Sequence, residues 1–260
     1  MSSKLQVKRP SILLFDFVET VVKTSLVDQV LWPYIESSSQ QYLLENWGST
    51  TVEDDIGKLR DDAITDLMAP QIPEHNTMLP MSGEERFEFI KTVCKYVQYC
   101  QTNNRHNRAI QIFRLHMWFD GYRRERLQTP VYSDAAKQLR KWKEEGVQLW
   151  VVSNGYAQAT KQFLSKTNHG NLNSVINGYF DNRLGPLDNM SAYRNLLTRF
   201  NCGVERILFL TKSAKKATAA LGAGINTILV LTHRRNIEKL TEEEAKIPHI
   251  RMLSSLNFTD

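Results

Sequence analysis

The first strongly apolar segment of the chain is interrupted by one charged residue. Residues 11 to 18 read SILLFDFV, and the charged residue in this run is Asp16. An almost continuous apolar run of this length is typical of a parallel strand that is buried on both faces. The pattern therefore predicts a strand here, with Asp16 near its carboxyl end.

The pattern of apolar residues changes twice after this strand. From about residue 26 to 126 it follows helical periodicity, with a polar, proline-containing stretch at 69–83. After Tyr132, the predicted strands VQLWVVS, RILFLT and NTILVL alternate with helices. This order predicts an α/β protein: a Rossmann-like, doubly wound parallel sheet with an inserted helical cap. We expect the core to comprise 8–25 and 127–260, and the cap 26–126.

Three of the predicted strands end in side chains that could act together. Asp16 follows ILLF, Ser153 follows LWVV, and Thr211 and Lys212 follow ILFL. The carboxyl ends of parallel strands converge on one crevice, so a carboxylate, a hydroxyl and an ammonium are expected to be neighbours. This combination is typical of a phosphoryl-transfer site.

Composition excludes several classes of protein. The chain has 260 residues, 42% of them hydrophobic, which is enough to bury a core, and its three cysteines show no spacing for a disulfide framework or zinc site. The net charge of +5 is scattered, so we expect no nucleic-acid partner. The sequence contains neither a signal peptide nor an apolar run that would span a membrane. We expect a cytoplasmic monomer, with the nucleus as a second location.

Short sequence matches in a fixed order connect almost the whole chain to one known family. Besides Asp16 they are LVDQVLWPYIE at 26–36, HMWFDGYR at 116–123, VYSD at 131–134, LRKWKEEG at 139–146, VVSNG at 151–155, GYFD at 178–181, AYR at 192–194 and ILFLT at 207–211. Through them the chain resembles the enolase-phosphatase E1 (acireductone synthase) family of methionine salvage, a branch of the haloacid dehalogenase superfamily. The resemblance implies a magnesium-dependent enolase and phosphatase.

The resemblance also implies a role for the residues around Asp16. In the family's D-x-E-G-T motif the aspartate attacks phosphorus and the glutamate moves a proton, but Val18 stands at the glutamate position here. A positioned acid or base typically contributes about 10²- to 10⁴-fold in rate, and valine cannot transfer a proton. Glu19 is a possible substitute, although successive side chains of a strand point to opposite faces.

The family's remaining motifs are retained in one case and replaced in two. Ser153, Asn154 and Gly155 keep the hydroxyl and backbone donors that bind phosphate in the family. Leu187 stands where the family has a lysine. Lys212 and Lys216 replace both acids of the T-D-x-x-x-E motif, which help to hold magnesium. Magnesium prefers oxygen ligands, so we expect no cofactor; Mg²⁺, with Asp16 as a ligand, is expected only if the family activity is retained.

Each retained group leaves two interpretations open. Asp16 is either a surviving nucleophile or, as we favour, a structural acid that pairs with Lys212 or caps its loop. Lys212 either takes the place of magnesium or is a solvated lysine, and Ser153 either binds phosphate or caps the next helix. We therefore expect a pseudoenzyme that binds a phosphorylated small molecule or a protein partner. The alternative is an active 2,3-diketo-5-methylthiopentyl-1-phosphate enolase/phosphatase with an unconventional site.

Overall fold

The structure is a computed structural model that describes residues 4–18, 20–74 and 81–259, apart from the side chains of residues 234 and 235. Glu19, the proposed substitute acid, lies outside the described residues. The chain divides into two compact units, one formed by Met1–Leu26 with Gln128–Asp260 and the other by Val27–Leu127. No helix in the described ranges is long and apolar enough to cross a membrane.

The first unit contains two parallel sheets. Its strands are β1 (Leu5–Lys8), β2 (Ile12–Asp16), β3 (Gln148–Val152), β4 (Gly178–Phe180), β5 (Ile207–Thr211), β6 (Asn226–Val230), β7 (His249–Ile250) and β8 (Leu256–Thr259). Six strands form the main sheet in the order β4-β3-β2-β5-β6-β7, and β1 pairs with β8. Every residue of β2 is buried, as its continuous apolar run requires. The predicted doubly wound parallel sheet is confirmed.

The second unit is helical in its described part. A π-helical turn at Leu26–Leu31, which begins in the first unit, leads into α1 (Trp32–Glu45), α2 (Thr50–Thr65), α3 (Gly83–Thr102) and α4 (Arg108–Arg123). Side-chain oxygens of Ser49, Ser82 and Asn107 accept hydrogen bonds from the first-turn amides of α2, α3 and α4. These caps satisfy backbone donors that have no partner inside a helix, and so they fix where each helix begins.

Helices α5 (Ser133–Glu144), α6 (Ala157–Ser165), α7 (Met190–Leu197), α8 (Ala214–Gly222) and α9 (Arg234–Ile237) alternate with the strands of the first unit. Helix α5 stops shortly before Gly146, which adopts a φ of 84°, a left-handed conformation that glycine tolerates best. One core cluster joins α7 and α8 to the sheet through apolar residues that include Leu14, Tyr193 and Phe209. The helices thereby hold the carboxyl ends of the strands in place.

Candidate functional site

Strand register brings the predicted site residues together at the carboxyl edge of the main sheet. Asp16 is opposite Val152 of β3, so Ser153 begins the loop beside it. On the other side Phe15 is opposite Leu210 of β5, and the next residue of that strand is Thr211. The three strand ends singled out in the sequence are therefore neighbours in the sheet.

Asp16 is a buried carboxylate with two side-chain donors. The residue is 8% exposed, and its Oδ2 atom accepts hydrogen bonds from Lys216 Nζ at 2.7 Å and from Thr211 Oγ1 at 3.1 Å. Burial raises the pKa of Asp16 above its ordinary value, and the favourable contact with Lys216 only partly offsets this effect. The carboxylate therefore depends on its ammonium partner to remain charged.

The lysine that the structure shows in contact with Asp16 is Lys216, whereas the sequence analysis favoured Lys212. Helix α8 begins directly after β5, where the Ser213 hydroxyl caps it by accepting from the backbone N–H of Lys216 at 3.4 Å. The Ser213 amide donates in turn to Thr211 Oγ1 at 3.1 Å. This turn places Lys216 in the first turn of α8 within reach of β2, whereas Lys212 is half-buried at the strand end. Lys216 follows Lys212 by four residues, about one turn of helix, and this spacing could have identified Lys216 as the partner of Asp16.

At positions 18 and 187, where the motif resemblance leads us to expect an acid and a lysine, the structure has apolar side chains. Val18 is 36% exposed just beyond β2, and it offers no proton to a leaving group. Leu187 is 2% exposed and belongs to the core cluster around Tyr193, whose hydroxyl donates to the Leu187 carbonyl oxygen at 2.9 Å. Position 187 thus contributes to packing instead of supplying a charge.

The loop after β3 presents an exposed backbone beside Asp16. Ser153 is held in place by its amide, which donates to the Phe180 carbonyl oxygen at 3.0 Å, and its Oγ accepts from the Gly155 amide at 3.1 Å. Asn154 and Gly155 are exposed. Ser153 does not cap the next helix, because α6 begins at Ala157 with Tyr156 in the N-cap position and no capping bond from that side chain.

Asp181 supports the same loop, and the sequence reasoning assigned it no role. It follows β4, is 7% exposed, and accepts hydrogen bonds from the Ala157 amide at 3.4 Å and from Arg183 Nε at 2.9 Å. Burial acts to raise the pKa of Asp181, but the hydrogen bonds from Arg183 and Ala157 outweigh it and lower the pKa. The sequence signal for this role was an acidic residue, Asp181, directly after the strand GYF.

The donors at this edge do not fit a magnesium ion. Magnesium binds oxygen ligands in a near-octahedral arrangement, usually with one or two carboxylates. Here Asp16 already bonds an ammonium, and positions 212 and 216, where the motif resemblance leads us to expect acids, are lysines. Nowhere in the described ranges do three or more His, Cys, Asp or Glu side chains form a group suited to a metal ion. An ammonium and a dication also repel each other, by roughly 6 kcal/mol at 5 Å and an effective dielectric of 20.

Comparison with known proteins identifies the chain's relatives. The sequence profile of the haloacid dehalogenase-like hydrolases matches residues 10–231. The chain is 28% identical to Enolase-phosphatase E1 of Danio rerio over 246 residues, which cover 95% of this chain and 93% of that protein. It is 29% identical to Enolase-phosphatase E1 of Xenopus tropicalis over 240 residues, or 90% and 89% of the two chains. The resemblance found in the sequence motifs is confirmed.

Solved structures share the fold. The UTR4 protein of Saccharomyces cerevisiae superimposes with a TM-score of 0.73 at 19% identity, over 95% of this chain and all of that one. CbbY from Rhodobacter sphaeroides, solved in complex with phosphate, gives a TM-score of 0.53 at 12% identity, over 94% and 95% of the two chains. At these identities the likeness concerns the fold alone.

Proposed function

Since the chain belongs to the haloacid dehalogenase-like hydrolase family, we propose that it uses the family's strand-end crevice for binding and does not perform magnesium-dependent phosphoryl transfer. Its similarity to Enolase-phosphatase E1 supports a place in the methionine-salvage branch of the family. The observation that carries the proposal is the ion pair between Asp16 and Lys216.

The ion pair opposes nucleophilic attack by Asp16. A carboxylate attacks phosphorus through an oxygen lone pair; Oδ2 of Asp16 is engaged by two donors, and only 8% of the residue is exposed, which leaves Oδ1 as the oxygen that could attack. The ammonium of Lys216 also withdraws electron density from the carboxylate, which lowers its nucleophilicity. Asp16 is thus better suited to hold Lys216 and the start of α8 in place than to form a phosphoenzyme.

Proton transfer is impaired independently. A leaving alkoxide needs an acid within hydrogen-bond reach, and an acid or base in this role is worth about 10²- to 10⁴-fold in rate. Val18 supplies no proton at the family's acid position. Because the defects at Asp16 and Val18 concern different steps, we expect the two factors by which they reduce the rate to multiply.

The crevice retains features that suit an anionic ligand. Asn154 and Gly155 are exposed on the Ser153 loop, where the Gly155 amide donates to Ser153 Oγ, and two lysines stand where the family has acids, so the charge at this edge is more positive. Positive groups and exposed backbone donors favour phosphate or carboxylate. We propose a phosphorylated small molecule as the ligand, or a protein partner that presents an anionic group.

A turnover assay tests the catalytic part of the proposal. Purified protein would be incubated with 2,3-diketo-5-methylthiopentyl 1-phosphate and Mg²⁺, and both phosphate release and enolisation would be recorded. The proposal predicts no rate above that of the Asp16→Asn variant. Turnover that this variant abolishes would establish the alternative, an active enzyme with an unconventional site, and would overturn the proposal.

A binding assay tests the ligand part. Titration with inorganic phosphate, followed by amide chemical shifts of Asn154 and Gly155, should give the same saturable shifts with EDTA as with Mg²⁺. Lys212→Met should weaken binding, whereas Lys215→Met, an exposed change on the same segment, should not. Binding that requires Mg²⁺ would contradict the proposal, as would the absence of any saturable shift.

A further inference from the structure

Two apolar side chains are exposed at the carboxyl edge of the main sheet, close in the chain to the residues of the strand-end crevice. Val18 is 36% exposed two residues after Asp16, and Tyr156 is 56% exposed three residues after Ser153. The anionic ligand proposed above gives a role to the lysines and to the Ser153 loop, but none to these two side chains. Tyr156 is the larger of the two, and its place in the fold determines what it can contact.

Tyr156 stands at the beginning of α6, at the same edge of the sheet as Asp16. The helix follows β3, the neighbour of β2, after the Ser153 loop. Tyr156 is the N-cap residue, and its carbonyl oxygen accepts a hydrogen bond from the Thr160 amide at 3.1 Å. The amide of the next residue, Ala157, donates to the Asp181 carboxylate. The backbone of Tyr156 is therefore held in place by the helix and by the end of β4.

The face of α6 that includes Tyr156 is turned towards the end of β2. Thr160 and Phe163 follow Tyr156 by four and seven residues, a spacing that places residues on one face of a helix. Both are buried, and the ring of Phe163 stacks on that of Phe17, with the centroids 6.1 Å apart. Phe17 directly follows Asp16 in the chain. Tyr156, two turns nearer the start of the helix than Phe163, therefore lies at the rim of the crevice.

The fold makes little use of the Tyr156 side chain. This side chain forms no hydrogen bond that caps α6, and more than half of its surface faces water. A single exposed apolar residue is common on protein surfaces. Here Val18 and Tyr156 are exposed on either side of the ring pair of Phe17 and Phe163, next to a loop suited to an anion. A ligand with an apolar group beside its anionic group would cover both.

A flat ring is the apolar group that suits a tyrosine best. Aromatic rings pair in offset-stacked or edge-to-face geometry, and such a contact typically strengthens binding about two- to tenfold. We infer that Tyr156 is the specificity-determining residue of the crevice and that it selects aryl phosphates, in which a ring is joined directly to the anionic group. The inference rests on the proposed function, because it requires the phosphate to bind beside the Ser153 loop.

Phenyl phosphate and methyl phosphate are suitable probes, because both are phosphate monoesters and only one has a ring. Each would be titrated into ¹⁵N-labelled protein with EDTA, and the amide shifts of Asn154 and Gly155 would give its affinity. Phenyl phosphate should bind at least about fivefold more tightly, and its ring protons should show a nuclear Overhauser effect to the ring of Tyr156. Equal affinities, or the absence of this effect, would overturn the inference and leave the proposed function intact. No saturable shift with either ester or with inorganic phosphate would refute both.

Two variants of Tyr156 separate the ring from the rest of the chain. Tyr156→Phe keeps the ring and should retain the preference for phenyl over methyl phosphate, whereas Tyr156→Ala should reduce it to less than about twofold. Neither change removes a capping bond of α6. Leu221→Ala is the control, because Leu221 is 41% exposed near the end of α8, at the opposite edge of the sheet, and this variant should keep the preference. A preference that survives in Tyr156→Ala, or that Leu221→Ala abolishes, would contradict the inference.

Discussion

Replacing Lys216 with methionine removes the cation next to Asp16 and keeps the side chain's approximate length. Nζ of Lys216 lies 2.7 Å from Oδ2 of Asp16, and the two side chains are 14% and 11% exposed. At an effective dielectric of about 20, unit charges at this distance attract by roughly 6 kcal/mol. The cost of burying both charges offsets much of that attraction, so the pair itself is a modest source of stability.

The variant loses more than the net value of the pair, because it leaves one buried charge without a partner. Removing one member of a buried ion pair typically costs about 3–5 kcal/mol. Burial already raises the pKa of Asp16, so the variant can relieve part of the penalty by protonating this carboxyl. We therefore expect Lys216→Met to lower the free energy of unfolding by about 3 kcal/mol, at the lower end of that range.

Urea unfolding at neutral pH measures this loss. Lys215→Met is the matched control, since Lys215 is exposed on the same helix and its replacement should change stability by less than about 0.5 kcal/mol. The double variant Asp16→Asn/Lys216→Met should be more stable than the sum of the single losses predicts, by at least about 1 kcal/mol. Equal losses for the two lysine variants, or additive losses for Asp16 and Lys216, would refute the role assigned to the ion pair.

Three further predictions concern other positions. Leu187→Ala should lower the free energy of unfolding by about 2–4 kcal/mol, because it opens a cavity in the core. Leu221→Ala, at a residue that is 41% exposed, is the control and should cost less than about 1 kcal/mol. Equal losses in urea unfolding would contradict the packing role of Leu187. The lowered pKa of Asp181 stabilises the fold above its unfolded pKa of about 3.9, and this contribution is lost as pH falls through the lower folded value. Asp181→Asn should therefore lose less stability than the wild type on acidification below about pH 4. Parallel curves of unfolding free energy against pH for the two proteins would contradict this role of Asp181. Arg126 donates hydrogen bonds to both carboxylate oxygens of Glu45, which lowers the pKa of Glu45 to about 2. Arg126→Gln should therefore raise the pKa of Glu45, measured by NMR, toward about 4.3. An unchanged pKa would exclude Arg126 as the cause of the shift.

The sequence predicted those features of the fold that depend on local patterns. Strand β2 is buried along its whole length, and such strands are recognisable because each position must be apolar. The neighbourhood of Asp16, Ser153 and Thr211 followed from a general property of parallel sheets, whose strand ends converge. No knowledge of side-chain conformation was needed for either result.

Contacts that depend on side-chain geometry were harder to predict from the sequence. The choice between Lys212 and Lys216 is made by the Ser213 cap, which sets the direction in which α8 leaves the strand. The support of the Ser153 loop by Asp181 joins residues 24 positions apart, through a hydrogen bond to the Ala157 amide. Periodicity contains no information about either contact, because both depend on where two separate elements meet.

The replaced positions around Asp16 are consistent with one another in charge. The resemblance places a lysine at position 187 and acids at 212 and 216, so the family's carboxylate would have an ammonium from one side and a metal from the other. Here Lys216 supplies a positive charge from the metal's side at 2.7 Å. A lysine at 187 would then add a second unneeded cation in a buried cluster, at considerable cost in desolvation. Leu187, packed around Tyr193, avoids that cost, and Lys216 supplies an ammonium to Asp16 within the described part of the chain.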